Sequence, residues 1–267
     1  MDIGVFPNTV EYWGPNGMAF FRNVQVRWMP IRKKSGSVTI ALERPGASAD
    51  QGVYADRIEL SNVQPRFNFP DLSGNGRIER DWGYLQVAGI VRKIGWVDTS
   101  GNKANLGGSV VGWGVDVTSN LNLSKANVAK LGFVYGHGIE NYMNDAPFDV
   151  GVKTNPPGSL VPIGGVALPV LGVVAFLDHT WSERYTSSAG YSMVNIWNSN
   201  AEKVSDYHQG HYAVANLLYH PIPKVMMGGE FQFGRRVNFL DGFNYNDYRV
   251  QFSFKYDFGK SFKSPSL

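Results

Sequence analysis

Strict alternation of apolar and polar residues near the C-terminus limits what this chain can fold into. From Tyr248 to Phe258, every second side chain is aromatic or aliphatic, and every side chain between them is polar. A repeat of two residues is the pattern of a β-strand with one apolar and one polar face. At about 3.4 Å per residue, this strand extends over roughly 35 Å.

The same alternation recurs along most of the chain and predicts an all-β protein of about eleven strands. A content of 31 glycines, 13% aromatic residues and 18% charged residues favours many strands with tight turns over a helical bundle. One strand changes parity at Pro70, which indicates a bulge. The predicted strands are 19–29, 37–44, 66–80, 82–96, 107–122, 127–137, 170–183, 187–198, 209–220, 223–235 and 246–258.

The connections between these strands alternate between short and long. The short ones are 30–36, 80–82, 123–126, 183–186 and 221–222, and the long ones are 44–65, 97–106, 138–169, 199–208 and 236–245. A soluble sandwich has no reason to place every long loop at one end, whereas an outer-membrane barrel has short periplasmic turns and long extracellular loops. We therefore predict an antiparallel transmembrane β-barrel whose apolar face meets lipid. The aromatic residues near the short turns fit either an interfacial girdle or an ordinary core: Trp28, Trp82, Trp181, Tyr219 and Phe258.

The stretch 160–177 is the one candidate for a membrane-spanning helix. Its 18 residues include no polar side chain, which reaches the required length. Pro162 and Pro169 argue against it, because a proline costs a helix about 3 kcal/mol. We predict an apolar loop and then a strand from about Val170. The first residues lack a signal-peptide pattern, which fits either a cytosolic protein or a start that lies upstream.

Three segments resemble a known family: MDIGVFPNTVEYWGPNGMAFFRNVQVRWMP, RDWGYLQVAGIVRKIGW, and the run from GHYAVANLLYHPIPKVMMGGEFQFGRR to DYRVQFSFKYDF. They are similar to the dicarboxylate-type (DcaP-like) porins of Gram-negative outer membranes. The resemblance implies a homotrimer of 16-stranded barrels, of which this chain lacks about five N-terminal strands. It implies partners in the lipid bilayer and lipopolysaccharide, and passage of small anionic solutes. Within a single domain, 1–267, it makes 1–18 an inward-folded constriction loop, 19–258 barrel strands and 259–267 a C-terminal tail.

The polar parity of the strands predicts a charged channel wall. Arginine binds carboxylates through two parallel hydrogen bonds, and rings of charge set the selectivity of pores. We expect an anion-preferring channel with Arg92 and Arg249 as the leading solute contacts, opposed by Asp2 and Glu11 on the inward loop. Strict alternation lets one of Arg235 and Arg236 face inward. The inward set has seven bases and five acids: Arg27, Arg66, Arg77, Arg92, Lys130, Arg249 and Lys255, with Glu43, Glu79, Asp116, Glu230 and Asp257.

Two other functions stay open: a soluble β-sandwich that binds carbohydrate or another ligand, and a membrane-embedded enzyme. No nucleotide-binding or hydrolase motif occurs, and no catalytic residues, cofactor or metal are predicted. His208 and His211 lack a placed acidic third ligand. The segment from Asp71 resembles a calcium loop but has Trp82 where the bidentate glutamate belongs. A net charge of +3 is too small for nucleic-acid binding through charge.

Overall fold

The computed structural model describes residues 4–10, 14–101 and 104–258. Within these ranges the regular structure is β-strand, apart from three short 3-10 turns. None of the helical turns in the described residues is long and apolar enough to cross a membrane.

Eleven strands follow one another in a continuous antiparallel sheet, so the all-β prediction is confirmed. Each of the eleven predicted strands overlaps one of them. A short strand, β3 (Val63–Pro65), pairs with β5, and a separate hairpin consists of β8 (Val150–Thr154) and β9 (Ile163–Ala167). In spatial order the eleven are β1 (Gln25–Lys33), β2 (Gly36–Glu43), β4 (Asp71–Arg80), β5 (Gly83–Asp98), β6 (Gly108–Asn122), β7 (Asn127–His137), β10 (Pro169–Thr180), β11 (Tyr185–Ile196), β12 (Tyr207–Tyr219), β13 (Val225–Asn238) and β14 (Asn244–Tyr256).

Two predicted strands differ from the observed ones. The predicted strand 66–80 is interrupted, because β3 ends at Pro65, β4 begins at Asp71 and 66–70 forms no strand. Pro70 accounts for the break, since proline has no N–H for the ladder. The predicted strand 19–29 is displaced, and β1 begins at Gln25. Its expected first residues bond instead to a loop, where the Phe20 N–H donates to the Tyr142 carbonyl at 2.8 Å.

The two faces of the sheet are inverted relative to a water-soluble protein. Apolar residues of one parity are exposed; the Phe252 side chain is 83% exposed. Residues of the other parity are largely polar and are covered by loops; Arg92 is 2% exposed. Apolar atoms on the outside and polar groups on the inside are the arrangement expected when the surrounding solvent is lipid. We call the polar side the inner face and the apolar side the outer face.

Short turns and long loops alternate as the sequence predicts, with one exception. The exception is the connection between β13 and β14, where both strands extend further than expected and only 239–243 remain. The apolar stretch 160–177 contains β9 and most of β10, so the prediction of a strand from about Val170 is confirmed. The loop after β7 also contains the β8–β9 hairpin, which the sequence analysis did not predict.

The sheet has two edges. Among the described residues, β1 and β14 each pair with one neighbour only. An odd number of antiparallel strands makes these two edge strands run in the same direction, so they do not complete an antiparallel ladder with each other. An unpaired strand edge is costly in a lipid environment, because its N–H and C=O groups lack partners.

Candidate permeation site

The residues that precede β1 run across the inner face of the sheet. We call 4–10 and 14–24 the N-terminal segment. Three inner-face side chains form hydrogen bonds with backbone groups in its first part. The Lys130 ammonium donates to the Phe6 carbonyl at 3.0 Å, and the Asn8 N–H donates to Asp178 at 3.2 Å. The Val10 N–H donates to the Glu230 carboxylate at 2.6 Å.

The second part of the N-terminal segment packs against the sheet through apolar contacts. Met18 lies in a buried cluster with Val174, Phe176 and Val214, which belong to β10 and β12. Gly17 allows the close approach: its φ is +74°, and a Cβ there would lie 2.4 Å from the Met193 carbonyl oxygen. A larger residue at position 17 would therefore both strain the backbone and push the segment off the sheet.

A buried ion-pair cluster joins the inner face to two of the long loops. The fully buried Arg92 guanidinium on β5 lies 3.1 Å from Asp71 at the start of β4 and 3.1 Å from Asp149 in the loop after β7. It also donates to the carbonyls of Gly138 and Gly46. The Tyr142 hydroxyl donates to Asp71 at 3.0 Å. Arg92 therefore fastens the loops 44–62 and 138–168 to the wall.

This environment corrects the sequence-based role of Arg92. Alternation placed its side chain on the inner face, and the structure places it there. Because the guanidinium is fully buried between Asp71 and Asp149, it is not available to a dissolved anion. The sequence analysis could not detect the cover, since the loops that provide it carry no periodic pattern.

Glu140 is a buried acid at the edge of the same cluster. It lies in the 3-10 turn Glu140–Tyr142 and its side chain is fully buried. Burial, and then the nearby Asp149 carboxylate, raise the pKa of Glu140 well above its usual value of 4.5. Between the pKa of the unfolded chain and the raised pKa of the folded protein, the folded protein holds a proton that the unfolded chain has released.

Glu140→Gln should stabilise the protein at neutral pH but not in acid. The raised pKa makes the stability contribution of Glu140 complete below pH 4.5 and diminishes it as the pH rises toward the folded-state value. Glutamine mimics the protonated acid and removes that loss. Urea unfolding in lipid at about pH 4 and pH 7.5 measures the effect. The exposed Glu59→Gln is the matched control, and an equal gain at both pH values would contradict the assignment.

Two cavities lie between the N-terminal segment and the strands at the ends of the sheet. The larger, of about 810 Å³, is lined by part of the segment, by β1 residues including Arg27, and by Ser253 and Lys255 of β14. The smaller, of about 440 Å³, is lined by Asp145, Tyr207, Arg236 and others. Gly14 borders both cavities.

Basic side chains dominate the linings of both cavities. The described lining residues include one acid, Asp145, and that acid borders the smaller cavity. Strand pairing sets Arg249 beside Gln232 on the inner face. The bases in these linings are Arg22, Arg27 and Lys255 in the larger cavity, and Arg236 and Arg249 in the smaller, which Arg235 also borders from a position of outer-face parity. This charge imbalance favours anions over cations in both cavities.

One solved structure is similar to this chain over nearly its whole length. It is the outer membrane channel DcaP of Acinetobacter baumannii, with a TM-score of 0.77 and 17% sequence identity. The match covers 97% of this chain and 69% of that channel. This chain has the fold of an outer-membrane channel. A second structure, the CymD monoaromatic hydrocarbon channel, has a TM-score of 0.43 and 9% identity over 89% of this chain and 73% of that one, too low to support a conclusion.

Comparison by sequence identifies no relative. No protein-family model matches the chain. No curated protein matches it either. The structural similarity to DcaP therefore establishes the fold and does not assign a role to any single residue.

Besides Arg92, three of the predicted site residues lie away from the two cavities. Arg77 lies on the inner face near a short turn, 2.7 Å from Glu79 and stacked 3.6 Å from the Tyr84 ring centroid. Glu230 is buried beneath the N-terminal segment and accepts from Val10 and from Asn216. Arg66 lies between β3 and β4, outside any strand, so alternation does not place it on the inner face.

Alternation indicates which of the adjacent residues Arg235 and Arg236 faces inward. Arg236 has the parity of the buried Glu230 and Gln232, and its guanidinium lies 5.7 Å from the centroid of the Tyr207 ring. Arg235 has the parity of the exposed Phe231, so its side chain belongs to the outer face. Asp2, Glu11 and the tail 259–267 lie outside the described residues.

The sequence analysis missed two residues that line the cavities. Arg22 belongs to the N-terminal segment, and Asp145 belongs to the loop after β7. Asp145 lies outside every predicted strand, so alternation gave no signal for it. Arg22 lies inside the predicted strand 19–29 but on the parity assigned to the outer face, so alternation placed it away from the channel.

Proposed function

We propose that this chain forms most of the wall of an outer-membrane diffusion channel that passes small hydrophilic solutes and prefers anions such as dicarboxylates. The observation that carries the proposal is the pair of basic cavities beside the N-terminal segment. The channel fold and the apolar outer face support the membrane location. The function is transport, and the inner-face residues serve permeation instead of catalysis.

The wall needs strands beyond those of this chain to close. Both edge strands have unpaired sides in the described residues, and such edges are unfavourable in lipid. We propose that additional strands pair with β1 and β14 and complete a 16-stranded barrel. The sequence resemblance further supports a homotrimer in a Gram-negative outer membrane, in contact with lipopolysaccharide.

The residues that we assign to solute contact are Arg27, Arg236 and Arg249. Each has the inner-face parity and lines one of the two cavities. A guanidinium in a wetted pore attracts a carboxylate without holding it tightly, which permits release. We propose that the N-terminal segment is the constriction, and that Asp2 and Glu11 provide an acidic patch opposite the arginines.

Replacing Arg27 and Arg249 with glutamine should lower the preference for anions. Removing a unit charge about 4 Å from a passing ion changes its energy by about 1 kcal/mol in water, so the anion-to-cation permeability ratio should fall roughly fivefold or more. The measurement is the reversal potential in a salt gradient across a planar bilayer. The matched control is Arg57→Gln with Arg66→Gln, since neither residue lines either cavity.

Two results would refute the proposed selectivity. One is a wild-type channel that prefers cations. The other is a double variant, Arg27→Gln with Arg249→Gln, whose reversal potential equals that of the wild type. A loss of conductance in both double variants, the control included, would instead show that the substitutions prevent assembly, and heat-modifiable gel mobility distinguishes this case.

A further inference from the structure

A third cavity lies among the long loops and shares no lining residue with the two basic cavities. It measures about 290 Å³. Its walls come from β5, from the loop that contains β3, from the loop before β6 and from the β8–β9 hairpin. We call it the loop cavity. Its apolar lining includes Leu60, Val63, Ile94, Leu106, Val152 and Ile163.

One wall of the loop cavity is a fixed indole ring. The Trp96 Nε1–H donates to the Leu106 carbonyl at 2.8 Å. Two glycines allow the chain to approach the ring closely: a Cβ at Gly165 would lie 2.5 Å from it, and one at Gly108 would lie 3.0 Å from it. The ring therefore lies close to two backbone segments and presents an apolar surface.

Hydrogen bonds between the loops close the other sides. The Asp50 N–H donates to the Val150 carbonyl at 2.9 Å, beside a parallel bridge between Ala49 and Val150. The hydroxyl groups of Tyr54 and Thr154 are 2.8 Å apart. These bonds join the loop after β2 to the β8–β9 hairpin, so the cavity is built into the loop structure and does not depend on a ligand to form it.

The lining determines what the loop cavity can hold. Among the described residues, no lysine, arginine or histidine lines it, and the one acid that does, Asp50, accepts the Gly52 N–H at 2.8 Å. An anion there would lose its hydration without a compensating cation. An apolar cavity of about 150 Å³ is already large enough for benzene and excludes water. The loop cavity has room for a ring with a substituent.

We propose that the loop cavity binds a small neutral apolar molecule, such as a substituted benzene. Three of its four walls come from loops that are bonded to one another, which leaves space for a compact molecule and not for a polypeptide segment. The charge of the lining separates this ligand class from the anions of the basic cavities. The proposal stands independently of the proposed anion selectivity.

The test is ¹⁹F NMR of trifluoromethylbenzene added to the protein in lipid nanodiscs. We expect saturable binding above the partitioning into empty nanodiscs, and displacement by toluene. Trifluoromethylbenzoate tests the anionic alternative and should show no saturable binding at this site. Val63→Trp places a large ring in the cavity and should weaken binding at least tenfold. The matched control is Leu160→Trp, at an exposed position between β8 and β9 that lies outside the lining.

Each outcome bears on the proposal. Retained binding in Leu160→Trp together with loss in Val63→Trp supports the loop cavity as the site. Equal binding in both variants, or wild-type binding no greater than lipid partitioning, overturns it. Benzoate binding that Val63→Trp abolishes also overturns it, since benzoate bound at the basic cavities would not respond to that variant. If Val63→Trp does not fold, displacement in the wild type decides: saturable displacement of the probe by toluene supports the site, and its absence overturns it.

Discussion

Replacing Arg92 with methionine is expected to destabilise the protein by roughly 3–5 kcal/mol, because it leaves two buried carboxylates without their cation. Asp71 and Asp149 both lie 3.1 Å from the guanidinium, and all three side chains are buried. The loops 44–62 and 138–168 should detach from the inner face, since Arg92 also binds the Gly46 and Gly138 carbonyls. Both the ion-pair cluster and the folding of the loops depend on this one side chain.

The effect of Arg92→Met is measured as the difference in the free energy of unfolding between the variant and the wild type in phospholipid bilayers. Arg77→Met is the matched control, because Arg77 pairs with Glu79 in a partly exposed position and such pairs contribute about 0–1 kcal/mol. Neutralising the partners as well, with Asp71→Asn and Asp149→Asn, should recover much of the loss. Equal effects of Arg92→Met and Arg77→Met would refute the structural role of the cluster.

The face on which each strand residue lies could be predicted from the sequence, because alternate residues of a strand lie on opposite faces. Phe252 and Arg249 lie on the faces that their parity predicts, and the interruption at Pro70 follows from the missing N–H. A membrane strand has lipid on one side and water on the other, so the polarity of each side chain indicates the face on which it lies.

The sequence did not indicate which inner-face residues are buried under loops. Arg92 and Arg249 have the same inner-face parity, yet Arg92 is buried in an ion-pair cluster and Arg249 lines a cavity. The difference arises from Gly46, Gly138 and Asp149, which lie in loops distant in sequence from β5. Contacts of this kind have no period, and the depth of a residue in the channel depends on them.

Placing a charge on the outer face should destabilise the protein far more than placing it on the inner face. Phe252 is 83% exposed on β14 near the middle of the strand, on the outer face that we expect to contact lipid. Arginine in the middle of the bilayer costs about 2–4 kcal/mol on the lipid side of a barrel. The neighbouring Ser253 lines the 810 Å³ cavity, where an arginine side chain has space and water.

The central claim is that the apolar face of the sheet contacts lipid and the polar face encloses the pathway. The most direct measurement is the free energy of unfolding in phospholipid bilayers for Phe252→Arg and for Ser253→Arg. We expect the free energy of unfolding to fall by about 2–4 kcal/mol in Phe252→Arg and to change by no more than about 1 kcal/mol in Ser253→Arg. Equal losses in the two variants, or a larger loss for Ser253→Arg, would contradict it.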